Sequence, residues 1–158
     1  MPVTTDIVET WRHPRAVVRR LLDRGPSEPF AFSLLLIFLL LAFTAAAPNL
    51  ARQATAEPEA PLLQRMVAAG LGLLATVPLW YLLAAAGHLA ARLLGGRGGY
   101  YGGRLALFWA LVAVSPAMLV LGLVQGLIGP GRESTGLGVL VLAVFLLFWV
   151  VMLREVER

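Results

Sequence analysis

Four long apolar runs in this chain contain no Asp, Glu, Lys or Arg: Phe30–Ala47, Met66–Ala91, Leu105–Ile128 and Gly136–Leu153. This pattern constrains the fold more than any short motif does. A bilayer core about 30 Å thick is crossed by roughly 20 apolar helical residues. Inside it every backbone amide and carbonyl must be paired within the protein, which a helix does by itself. The chain is 59% hydrophobic and only 14% charged, where a soluble domain carries about 25% charged residues. The expected fold is therefore all-α: a multi-pass transmembrane four-helix bundle with an N-terminal amphipathic interfacial helix. The spans are expected near 30–50, 66–91, 105–128 and 136–153, with a cytoplasmic basic segment over 1–28 and a cytoplasmic tail over 154–158.

The segments between the runs set orientation. With the N-terminus inside, ten arginines fall on the inner side: Arg12, Arg15, Arg19, Arg20, Arg24, Arg92, Arg97, Arg104, Arg154 and Arg158. Only Arg52, Arg65 and Arg132 fall outside. Such a bias places both termini in the cytoplasm by the positive-inside rule. Trp109, Trp149, Tyr100, Tyr101 and Phe108 lie near the same expected inner interface. The first run is too long, and starts too late, for a cleaved signal peptide, and the Arg19-Arg20 pair is not followed by an exported domain. The location implied is a plasma membrane, crossed several times, with both termini cytoplasmic.

Residues 1–28 read as two short helices. Thr4 or Thr5 would cap the first, which runs to Trp11; Pro14 would open the second, and Gly25-Pro26 would end it. In the second helix Val17, Val18, Leu21 and Leu22 share a face opposite Arg15, Arg19, Arg20 and Arg24. An arginine-rich amphipathic helix just before a span favours the membrane surface, with Trp11 as interfacial anchor. The alternative is a helix packed on the bundle. Residues 48–65 read as a loop, with Pro58 and Pro61 precluding regular helix. Pro78 and Pro116 fall near the middle of the second and third spans, with Thr76 and Ser115 as local partners for the carbonyls they free.

Candidate sites are few. His88 is the ionisable group inside a span, close enough to its inner end to make an interfacial hydrogen bond. Gln125 is an expected buried polar residue within Gly122-Leu-Val-Gln-Gly126, a pattern that permits close helix approach, here as bundle packing more than self-association. Arg92-Leu-Leu-Gly-Gly-Arg-Gly-Gly-Tyr-Tyr-Gly-Gly-Arg104 superficially suggests a phosphate cradle, yet the chain has no lysine for a Walker motif and no strand precedes it. It reads as a cytoplasmic hinge, with Arg97 beside the tyrosines as a contact for lipid headgroups. There is no cysteine, no HxxxH and no acid pair inside a span, so no catalytic, cofactor or metal residue is assigned. Expected partners are the lipid bilayer, anionic headgroups, and a protein partner or further copies of the chain. Dispersed arginines do not form a nucleic-acid patch.

Three stretches carry a family resemblance: Thr5 to Leu22, Ala91 to Ala110, and Ile128-Gly-Pro-Gly131. Together they resemble the bacterial members of the Yip1 domain family over nearly the whole chain. The resemblance implies a multi-pass membrane protein. Eukaryotic members act in vesicle traffic and bind small GTPases of the Rab type, a role without a counterpart in a bacterial cell. Those relatives are usually drawn with five spans, against four here, and the family offers no catalytic residues to transfer. The expected function is a non-enzymatic membrane-organising or scaffold protein. The alternative is a small passive channel or transporter, with a path past Pro78, Ser115, Pro116 and Gln125, or an accessory subunit of a larger membrane complex.

Overall fold

The computed structural model describes residues 3–57 and 59–158 and is helical throughout, with no strand among the described residues. The elements are α1 (Val3–Thr10), α2 (Pro14–Leu22), α3 (Glu28–Ala56), α4 (Leu62–Ala75), α5 (Val77–Leu93), α6 (Tyr100–Leu127) and α7 (Arg132–Val156). Helices α3, α6 and α7, and α4 with α5 taken as one, are four helices long and apolar enough to cross a membrane. The chain is thus a multi-pass membrane protein with the expected all-α architecture.

Helix α6 is the axis of the molecule. It touches α1, α2, α3, α5 and α7, and from Leu105 to Ser115 every residue is buried. A helix apolar all the way round suits a protein core as well as a lipid surface, and along this stretch it is the protein that covers it. Trp109 and Phe108, expected at the interface, are instead fully buried in this core. The Trp109 indole donates to the Thr10 hydroxyl at 3.0 Å, so the buried N–H is satisfied by α1.

Lipid tails are as apolar as leucine, so association of spans rests on close packing rather than on burial from water. The tightest such contact joins α3 to α6. A Cβ at Gly122 would collide with the Ala45 carbonyl, and one at Gly126 with the Pro48 ring. The small-residue pattern of α6 therefore works within the bundle, against α3. Gln125, on the same turns, is half-buried rather than buried.

The 48–65 segment departs from its reading as a loop. Helix α3 continues through Pro48 to Ala56, and α4 begins at Leu62. Proline is tolerated within a membrane helix when neighbouring groups accommodate it, and the space left by Gly126 accommodates Pro48. Pro58 lies outside the described residues. At the other end, α1 starts at Val3, so Thr4 and Thr5 sit inside the helix and do not cap it.

Pro116 acts as expected on its helix, while at Pro78 the Thr76 hydroxyl bonds the Leu73 carbonyl and not the Leu74 carbonyl that the proline frees. Pro116 cannot donate to the Val112 carbonyl, and the Ser115 hydroxyl donates to that oxygen at 2.7 Å. The next carbonyl, Ala113, accepts the Trp11 indole N–H at 3.0 Å. Pro78 breaks its span into α4 and α5 at Thr76, whose hydroxyl donates to the Leu73 carbonyl at 2.6 Å and accepts from Trp80 at 3.0 Å. Both proline rings are exposed on the bundle surface.

Candidate functional site

The arginine-rich end of the bundle gathers α1, α2, the 94–99 loop and the last residues of α7. Here the amphipathic helix finds its partner. Val17, Val18 and Leu21 are buried, and α2 packs on α6 and α7. Burying an aliphatic side chain of that size contributes about 1.5–3 kcal/mol where the alternative is water. The apolar face of α2 is thus turned to the protein, which corrects the expectation that it meets the bilayer.

The arginines of this segment divide accordingly. Arg20 bonds Asp6 at 2.6 Å and Glu9 at 2.8 Å, and Arg24 reaches Asp6 at 4.0 Å. Asp6 is buried, so its carboxylate depends on these cations. The Glu9 carboxyl is held below the usual range, first by the hydrogen bond from Arg20. Arg19 pairs with Glu155 of α7. Arg15 is exposed and has no ion-pair partner among the described residues. Trp11 packs edge-on against Phe148, centroids 5.3 Å apart, while 45% of its surface stays exposed.

The glycine-rich loop is a receptor for the end of α7. The Arg97 amide donates to the Glu157 carbonyl at 2.7 Å. The Gly98 amide donates to Glu157 Oε2 at 3.1 Å, and Glu157 Oε1 lies 2.5 Å from Nδ1 of His88. His88 is buried, so its hydrogen bond is made inside the protein and not at the interface. Glycine is required for this approach: a Cβ at Gly98 would strike the Val156 carbonyl, and one at Gly103 would come within 3.0 Å of the His88 Cβ. The loop that reads as a hinge in the sequence is therefore a cradle, filled by the chain's own carboxylate. Gly95 takes a positive φ of 93° to turn the chain out of α5.

Two clefts hold candidate residues. One, of about 800 Å³, lies between α5 and α7 at the arginine-rich end and is lined by Arg97, Arg154 and Arg158 together with Leu94 and Trp149. The other, of about 370 Å³, opens at the opposite end and brings Gln125 together with Asn49, Arg52 and Ser134. The structure does not bring Pro78, Pro116 and Gln125 into one site: the prolines face outward, and Gln125 lines this second cleft. No cluster of His, Asp and Glu suited to a metal ion occurs among the described residues.

Sequence reading missed Glu155 and Glu157. Two acids after an apolar run look like a solvated tail. The available signal was the row of glycines at Gly98, Gly102 and Gly103, which anticipates close approach by another segment.

The Yip1 domain model matches residues 8–157, nearly the whole chain, and the protein belongs to that family. Comparison with curated proteins and with solved structures found no match.

Proposed function

We propose that this Yip1 domain protein is a non-enzymatic component of the bacterial inner membrane that organises the bilayer or scaffolds partners from a rigid basic platform. In this reading both termini and the arginine-rich end face the cytoplasm, in keeping with the distribution of arginines along the chain. The single observation that carries it is the fixing of that end by ion pairs and a hydrogen bond: Arg20–Asp6 joins α2 to α1, and Arg19–Glu155 and His88–Glu157 tie the end to the bundle. The buried titratable groups are engaged in holding helices together, which supports a structural role over a catalytic one. The outward arginines remain available to anionic headgroups.

Depth supports contact with lipid. Trp11 meets α6 at Ala113, and the helix from Ala113 to Leu127 rises about 21 Å, short of the roughly 30 Å hydrocarbon core. Trp11 then lies within the depth of the hydrocarbon layer, and it and the 67%-exposed Val8 face outward. Membrane contact falls to α1 and the arginines instead of the apolar face of α2.

The cleft that reaches Gln125 favours a second reading, a small passive channel or transporter. Purified protein reconstituted into vesicles loaded with small polar solutes separates the two. The scaffold reading predicts no efflux above protein-free vesicles, and protein-dependent efflux overturns it. A stoichiometric partner retained in mild detergent would make the chain an accessory subunit.

A further inference from the structure

The α5–α7 cleft combines features that belong to one kind of ligand. Its floor is apolar, and at its rim Leu94 is 90% exposed. Its charged wall carries Arg97, Arg154 and Arg158. Among the described residues Arg97 and Arg154 have no side-chain hydrogen bond or ion pair, and Arg158 reaches only Glu155, at 3.4 Å. The one acid lining the cleft, Glu157, is spent on His88 and the Gly98 amide. The negative ends of α5 and α7 also point here, which disfavours an anion. At α5 that effect is blunted, because the Gly95 and Gly96 amides cap the Arg92 and Ala91 carbonyls at 3.0 and 2.9 Å.

We propose that this cleft is a binding site for an anionic phospholipid, with its phosphate between Arg97 and Arg154 and its acyl chains along Leu94, Trp149 and Val150. A soluble phosphate would use the arginines and leave the apolar floor uncovered. A zwitterionic lipid would cover the floor and set its own cation against the arginines. Basic pockets between spans select anionic headgroups on this ground. The inference rests on the membrane placement proposed above and adds the identity of a partner.

Thermal unfolding of the full chain in mild detergent tests it. Added phosphatidylglycerol should raise Tm by about 5 °C, while phosphatidylcholine and inorganic phosphate should not. The double substitution Arg97→Gln with Arg154→Gln should abolish that rise and leave the Tm in phosphatidylcholine unchanged. Arg132→Gln, at the other end of the bundle, should keep the rise. An equal rise with phosphatidylcholine or with phosphate overturns the assignment, as does a full rise in the double variant. If the double variant does not fold, a photoactivatable phosphatidylglycerol on the unaltered chain should label residues 87–97 and 149–158, and labelling confined elsewhere overturns the proposal. None of these outcomes bears on the solute-efflux test, so the site and the scaffold reading fail separately.

Discussion

Glu157 and His88, 69 residues apart in the chain, meet through a buried hydrogen bond that ties the last turn of α7 to the inner face of α5. The Gly98 amide completes the set. This one carboxylate joins two spans and the loop between α5 and α6, so the arginine-rich end is fixed as a unit.

Removing that carboxylate should loosen the end as a whole. In Glu157→Ala the buried His88 nitrogen and the Gly98 amide lose their acceptor, and each unsatisfied group costs about 1–3 kcal/mol. Thermal unfolding in detergent should register the loss. Glu157→Gln, which keeps an acceptor oxygen, should lose less. Equal Tm values for the Ala variant and the unaltered chain would show that the tail does not hold the loop.

Glycine substitutions should sort by what surrounds them. Gly98→Ala places a Cβ on the Val156 carbonyl, and Gly122→Ala places one on the Ala45 carbonyl. Both partners are backbone and cannot turn aside, so each change should destabilise by about 1–3 kcal/mol. Gly72, inside α4, has nothing within 4 Å of an added Cβ. Gly72→Ala should stabilise the helix by about 0.8–1 kcal/mol. Unfolding midpoints in detergent would order the three variants.

Acid should release α1 before the spans. The Arg20 hydrogen bond holds the Glu9 carboxyl below its usual range. A carboxylate depressed in the folded chain contributes stability at pH values above its unfolded pKa, about 4.3, and loses it as pH falls through the lower folded value. Trp11 fluorescence should therefore change below about pH 4 while helical circular dichroism persists. In Arg20→Gln that acid transition should shrink. A transition on raising the pH from neutrality, with none on the acid side, would contradict the pairing.

The spans were legible because membrane helices announce themselves by length and lack of charge, and the packing role of Gly122 and Gly126 was legible from their spacing. What covers a face was not. Val17, Val18 and Leu21 present the same pattern to a bilayer as to α6 and α7, and only the fold distinguishes the two. Trp109 looked interfacial because it follows arginines and tyrosines, yet α1 folds back over it. Pro48 looked like a helix end because the glycine that accommodates it lies on another span. The His88–Glu157 contact has no periodic signature, and its trace was the run of glycines that makes room for it.

Side of the membrane is the central claim, and the absence of cysteine from the chain makes it directly measurable. Asp23→Cys marks the arginine-rich end and Glu59→Cys the opposite one, both at exposed positions. Intact bacterial cells expressing each variant would be treated with a membrane-impermeant maleimide. The account predicts that Glu59→Cys is labelled at once and Asp23→Cys only after the membrane is permeabilised. Labelling of Asp23→Cys in intact cells, with Glu59→Cys protected, would contradict it.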